Sequence, residues 1–396
     1  MNGACYFECV EHCCRENALR KPMNHIDFVP LSPRLPGPPR WVMYFWRCCS
    51  LVVFGVVHCC FFNEFKSPGH AQDLRQRAEE KFGKDSRIWF SEPGDKSLAR
   101  WDPPELFEDL GIILEWNAKN LVLLRPEAKR ETTISGDFVV RIEPSWTEPG
   151  EKIHRLFEQR QFPLVLTQGS EAIKQGKMPQ LQQLLILADM VESQSAIGKP
   201  HLAGRLFVSL AKVNPPQLLL ATIPLPWGNE SMQSDLPNVQ PLAENWLIDA
   251  NESLQLLGAA WLLSGQKRSI AIESLENLAN SKSSLVSAYA KAQLWRTVPP
   301  AEILSDRYPK WLGERDRLLL PIQAGPTMLL AERLAQAGQP VLAISEWLRI
   351  ATLHGDRYHL ATKAISKAAD AFRSLGRSEE ADNAELMLKR YDSKKP

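Results

Sequence analysis

The sequence predicts a mainly α-helical protein in which antiparallel helical hairpins, stacked as a solenoid, follow a small antiparallel β module. Three observations carry this prediction. Apolar residues recur at helical spacing through the second half, as in Leu181, Leu184, Leu185, Ala188, Met190 and Val191. Glycine precedes alanine by five residues at Gly198–Ala203, Gly338–Ala343 and Gly376–Ala381. Between Ile88 and Ile142 the pattern changes to short β-like runs separated by turn-forming residues.

The N-terminal stretch stands apart in composition. All eight cysteines of the 396-residue chain lie in its first sixty residues, and they end where the apolar run Cys48–Phe62 ends. That run is shorter than the ~20 residues a membrane-spanning helix needs. It suits the core of a signal peptide, which is roughly 7–15 residues long. Read from Met43, the segment has a basic start at Arg47, the apolar core, and a polar stretch closing on Gly69-His70-Ala71. Small residues at −3 and −1 place a cut after Ala71. Residues 43–71 are therefore expected to form a signal peptide, which gives an exported, periplasmic or envelope location. The alternative is an uncleaved single-pass anchor with the C-terminal body outside the cytoplasm. Membrane contact is expected through this segment alone. Residues 1–42 are proline-rich without period and are expected to be disordered; Met43 reads as the start of translation. The vicinal pairs Cys13-Cys14, Cys48-Cys49 and Cys59-Cys60 make poor zinc corners, because adjacent side chains diverge.

Beyond residue 60 the chain must hold together by packing without disulfides. Its 47 Lys plus Arg nearly balance 46 Asp plus Glu, so no basic excess exists to neutralise phosphates and nucleic acid is not an expected partner. Residues 72–85 read as a charged helical lead-in. The β module, 86–146, contains the runs Ile112–Trp116, Leu121–Leu124, Glu131–Ile134 and Phe138–Ile142. Connections this short require antiparallel neighbours, in a meander or an SH3-like barrel. Pro144–Pro149 reads as a linker, and 147–392 as the helical domain. Breaks fall at Pro215-Pro216, Pro224–Pro226, Pro299-Pro300 and Pro321–Pro326.

The glycine–alanine pairs have a physical logic. Glycine ends one helix in the left-handed conformation, a proline or cap opens the next, and alanine faces the closest helix crossing. Gly265–Ala271 repeats the pattern with one extra residue. The alanines at 203 and 271 are two 34-residue periods apart. In the unit 184–217, Ala203, Phe207, Leu210 and Pro215 fall at the spacing of a second repeat helix. Ala331, Ala343 and Trp347 occupy small, small and aromatic positions in 324–357. Ala259, Ala271 and Leu275 do so in 252–285, and Ala369, Phe372 and Ala381 in 362–395. This half of the chain resembles the tetratricopeptide-repeat (TPR) proteins. It departs from them in lacking the first-helix tryptophan, and in the poor fit of 218–251 and 286–323. An irregular set of antiparallel hairpins is the alternative. The resemblance implies a concave groove, lined by the first helix of each unit, that holds an extended peptide or another protein. Glu192, Ser195, Glu332, Gln336, Asp370 and Arg373 would face it; each also reads as a solvated polar position.

Local motifs for chemistry are absent: there is no G-x-S-x-G, P-loop, G-x-G-x-x-G, H-E-x-x-H or calcium loop. His354, Asp356 and His359 could form a metal corner, but Gly355 reads as a helix stop and Asp356 as the next cap. Asp306–Asp316 alternates acids with arginines and reads as a solvated ion-pair face. Trp227, in Ile-Pro-Leu-Pro-Trp, is either an exposed contact or a loop anchor. The expectation is an exported or envelope-associated, non-catalytic scaffold, without cofactor or metal, that binds a protein or peptide partner. An envelope enzyme with a site assembled from distant residues, or a purely structural envelope component, is the alternative.

Overall fold

Charged, helix-prone residues form α1 (Pro68–Phe82), which stops at Gly83, where φ is +89°. The computed structural model describes residues 68–91, 105–117, 119–125, 130–228 and 230–393, all within one unit spanning Ser67–Pro396. The cysteines, the apolar run and residues 1–42 lie outside the described residues. Among the described residues no helix is long and apolar enough to cross a membrane.

Five antiparallel strands follow: β1 (Asp85–Phe90), β2 (Phe107–Trp116), β3 (Asn120–Arg125), β4 (Arg130–Ser135) and β5 (Val139–Glu143), in the order β4-β3-β2-β1-β5. The β2–β3 turn is tight because Asn117 Oδ1 accepts from the backbone N–H groups of Lys119 and Asn120, at 2.8 and 3.0 Å. β5 returns to pair with β1, and register shifts at Trp89/Phe90 and Ile113/Glu115 bend the sheet. The result is a small five-stranded antiparallel sheet, with Ile88, Ile113, Leu121, Leu123, Ile134 and Val139 in its core beside Phe82 of α1. Two details differ from the sequence reading. Asp85–Phe90, whose charges obscure its alternation, is a strand, and Phe138 sits in a 3₁₀ turn before β5. The linker is pinned by buried Gln182. Its Oε1 accepts from Thr147 N and Oγ1, and its Nε2 donates to Ser145 O at 2.9 Å.

The remainder is helical: α2 (Glu148–Glu158), α3 (Phe162–Gln175), α4 (Gln180–Ala196), α5 (Pro200–Ala211), the single turn α6 (Gln217–Leu220), α7 (Glu230–Leu247), α8 (Glu252–Leu262), α9 (Arg268–Leu278), α10 (Ser284–Leu294), α11 (Tyr308–Asp316), α12 (Leu320–Gln336), α13 (Pro340–Leu353), α14 (Tyr358–Ser374) and α15 (Ser378–Ser393). The strongest packing is between α4 and α5, α7 and α8, α12 and α13, α13 and α14, and α14 and α15.

Three hairpin turns are built identically. Gly198, Gly338 and Gly376 each have φ +72°. Each glycine N–H donates to the carbonyl three residues back, and the next N–H to the carbonyl five back. This is the Schellman arrangement, and it satisfies carbonyls that a helix end leaves orphaned. The paired alanines Ala203, Ala343 and Ala381 are fully buried at the crossings, as is Ala271. Gly265 does not share the left-handed conformation, because its extra residue forms another turn in which Arg268 N donates to Gly265 O. Pro321–Pro326 is not a break either. Pro321 opens α12 and Pro326 lies inside it, fully packed.

Alternate helices α8, α10, α12 and α14 pack side by side as an inner layer, while α9, α13 and α15 take the outer positions of their hairpins. α14 then meets α4, so the succession curls until early and late hairpins touch. The closing contact is ionic. Glu192 on α4 pairs with Arg357, and His359 Nδ1 lies 2.9 Å from the other carboxylate oxygen. A second contact is aromatic. Arg160, in the left-handed region at φ +59°, stacks 4.2 Å from the ring centroid of Tyr358 and 5.2 Å from that of Tyr391. Phe162 packs on Tyr358 as well.

Burial pushes the Glu192 carboxyl up, but Arg357 and His359 outweigh it and hold it at about 2, below the ordinary 4.5. A depressed carboxylate contributes stability that is present above pH 4.5 and lost as pH falls through about 2. Removing one partner of a buried pair costs about 3–5 kcal/mol. Glu192→Gln should therefore lower the unfolding free energy by about that much near pH 7. In paired urea titrations the gap to wild type should close between pH 4.5 and 2. An unchanged gap at low pH would show that the pair does not hold the closure.

Candidate functional site

The inner faces of α8, α10, α12 and α14 do not enclose an open groove. They surround a non-helical segment of the same chain, Ile223–Gly228, which follows the turn at Ala221-Thr222 and is neither helix nor strand. Ile223, Leu225 and Trp227 are all nearly inaccessible, and the residues between them are buried too. Backbone in such a place must have its polar groups satisfied. Proline solves half of the problem, because Pro224 and Pro226 bring no N–H. Their carbonyls are met by side chains from two helices: Trp261 Nε1 of α8 donates to Pro224 O at 3.1 Å, and Gln293 Nε2 of α10 donates to Pro226 O at 3.4 Å. The Leu225 N–H donates to Ile223 O at 2.8 Å.

Trp227 anchors the segment. Its indole meets Tyr289 of α10 edge-on, with centroids 5.0 Å apart and an interplanar angle of 74°. It also covers Gly325 of α12 so closely that a Cβ there would overlap the ring. The loop-anchor reading of Trp227 is the one realised. Gly228 then passes Lys363 of α14 and Glu332 of α12; a Cβ at Gly228 would lie 2.9 Å from Nζ and 3.4 Å from Oε1. Burial pushes the Glu332 carboxyl up, with Lys363 opposing. Four inner helices thus contribute to one continuous cradle.

Buried charge adjoins the cradle. Burial pushes the Tyr289 phenol up; Arg357 opposes this and Glu192 adds to it, so the anchor and the closing ion pair share one electrostatic neighbourhood. Nearby, Arg315 is fully buried with Nη1 2.5 Å from Glu346 Oε2, itself fully buried, and Nε 2.6 Å from Asp316. Arg315 lies in a stretch read as solvated surface. No local signal distinguishes it, since Glu346 stands 31 positions away. His354 is pushed down to about 3, first by burial and then by Arg349, Arg357 and Arg315, and is neutral at pH 7. The capping reading of its neighbours also needs correction. Asp356 does not cap α14, whose N-cap is Arg357, and Gly355 is not left-handed. Glycine is required at 355 because a Cβ would strike the Tyr391 hydroxyl, which donates to Ala351 O.

A second polar pair joins α2 to α4. His154 Nδ1 lies 2.9 Å from Asp189 Oδ2, and Trp146 stacks on the imidazole at 4.9 Å. A histidine–aspartate pair can activate a hydroxyl, but Nε2 of this histidine faces Glu158 at 3.8 Å. The pair is therefore a clamp between helices. Among the described residues no group of three or more His, Cys, Asp or Glu is placed to hold a metal.

The six residues expected at a groove do not share one environment. Glu192 is in the closing ion pair, and Ser195 Oγ donates to Val191 O of its own helix. Glu332 is buried beside Gly228. Gln336 is exposed and accepts from Arg333 Nη1. Asp370 and Arg373 form an exposed pair, and Arg373 also reaches Glu385. Only Glu332 lies at the inner segment. The cradle residues Trp261, Tyr289, Gln293 and Gly325 escaped sequence reasoning. The one signal that could have found them is the apolar, proline-paired stretch 223–227, too rich in large side chains for a solvated loop.

Comparison with protein-family models, with curated proteins and with solved structures finds no match to this chain.

Two measurements test this geometry. Gly325→Ala forces Trp227 off its seat and should cost about 1–3 kcal/mol, as overpacking does, with a shifted tryptophan emission; an unchanged melting curve would mean that the indole does not lie on Gly325. Burial lowers the His154 pKa, but the Asp189 hydrogen bond and charge leave it above 6.5. The stability it contributes is present below pH 6.5 and lost as pH rises through that raised value. Its NMR titration midpoint should fall in Asp189→Asn.

Proposed function

We propose that the protein is an exported or envelope-associated, non-catalytic scaffold that holds a protein or peptide partner through TPR-like helical hairpins. The observation that carries the reading is the inner segment itself. Side chains from successive inner helices engage an extended backbone through its carbonyls and seat one large aromatic residue. Those are the means by which proteins recognise proline-containing extended peptides. Three acid–base pairs engaged with one another favour a non-catalytic role: Glu192 with Arg357, Arg315 with Glu346, and His154 with Asp189. Export rests on the signal-peptide pattern of residues 43–71 and on a cysteine-free body.

Two experiments test the proposal. Displayed peptide libraries panned against the protein should yield a consensus whose members bind in calorimetry; absence of any consensus, together with turnover on a panel of ester, peptide and glycoside substrates, would favour an enzyme. The mature N-terminus of the secreted protein should be Gln72, and a start upstream of Met43 would remove the export argument.

A further inference from the structure

We propose that Ile223–Gly228 is an internal ligand: it occupies the peptide site of the helical array, and a partner binds by displacing it with a segment of the same chemistry. This rests on the scaffold reading and specifies its ligand. That ligand is a non-helical peptide with two prolines spaced by one apolar residue and a tryptophan directly after the second.

The contacts define each requirement. The two accepting carbonyls belong to residues 224 and 226, two positions apart, with a tight turn about Pro224 closed by Leu225 N–H to Ile223 O. The donors, Trp261 and Gln293, come from neighbouring inner helices, α8 and α10, so the spacing is read by the array. Proline at both positions leaves no N–H to bury, which keeps desolvation of the incoming backbone small. The tryptophan site is closed by Tyr289 and floored by Gly325, the one residue type that leaves room for an indole there. Beyond it, Lys363 and Glu332 flank Gly228, so a side chain at the following position would have to displace the lysine's ammonium.

The segment's Ile223, Leu225 and Trp227 pack into the common core, and its hydrogen bonds to the array come from two side chains, the longer at 3.4 Å. A tethered segment has an effective concentration of the order of millimolar. A free peptide with equal contacts therefore loses to it in the intact protein, and prevails once the in-chain tryptophan is removed.

The test uses full-length protein, its Trp227→Ala variant, and a capped synthetic peptide of sequence ATIPLPWG. By calorimetry the peptide should bind the variant with micromolar Kd and raise its Tm. It should bind wild type at least tenfold more weakly, and the same peptide with alanine for tryptophan should bind neither. A folded variant that does not bind the peptide overturns the proposal. Should the variant fail to fold, hydrogen exchange of wild type decides the matter independently. The Leu225 and Trp227 amides should exchange at least tenfold faster than those of Leu329 and Leu330 in α12. Exchange of all four at the global unfolding rate would make the segment core and sink the idea. If a library-selected ligand binds wild type without altering exchange at Leu225 and Trp227, the internal-ligand proposal fails while the scaffold reading stands.

Discussion

The central constraint of this fold is a non-helical, proline-containing backbone held inside a helical core. An α-helix satisfies its own peptide groups; after the turn that pairs the N–H groups of residues 221–223, the buried stretch 224–228 keeps one such local bond, Leu225 N–H to Ile223 O. Unpaired, each buried amide group would cost about 1–3 kcal/mol. Proline removes donors at 224 and 226, and Trp261 and Gln293 supply what the acceptors need. Small residues on the surrounding helices follow from the same constraint. Gly325 stands where the Trp227 indole lies, and alanines 259, 260, 290 and 324 of the inner helices are buried.

Closure of the array is the complementary problem. A succession of hairpins can extend indefinitely, so something must join early helices to late ones. Apolar packing alone would do this without fixing register, whereas the Glu192–Arg357–His359 cluster is directional and demands one alignment of α4 against α14. Arg160 adds a second fixed point. It adopts a backbone conformation that a non-glycine residue enters at a cost of order 1–3 kcal/mol, offset by stacking on Tyr358 and Tyr391. A glycine would relax the turn and lose both rings.

What the sequence revealed and what it concealed divide along separation in the chain. The helical hairpins and the sheet were legible because their signals are local: apolar stripes, the Gly198, Gly338 and Gly376 stops, and runs such as Leu121–Leu124 bounded by turn residues. The alanines paired with those glycines are buried as their spacing implies. The candidate site was not legible. Its contacts join residues 37, 67 and 165 positions apart, and no periodicity connects them. Pro224–Pro226 looked like a break between hairpins because proline ends helices, and only the large apolar side chains around the two prolines mark the stretch for burial. Arg315 misled in the opposite direction: charge alternating along a short helix reads as surface, and only Glu346 from another hairpin makes its burial possible.

The polar interior and the extended segment are two parts of one arrangement. Tyr289 touches Trp227 on one side and feels Glu192 and Arg357 on the other, so the anchor of the segment and the lock of the array meet at one phenol. A shift of Trp227 would alter the packing beside Tyr289, and through it the setting of the charges that hold α4 to α14. Interiors are too densely packed for such a shift to be absorbed locally. Any coupling between the seat of the segment and the closure of the array would run through Tyr289 and be reciprocal: loosening the ionic lock would then weaken the seat of Trp227 by the same free energy that vacating the seat takes from the lock.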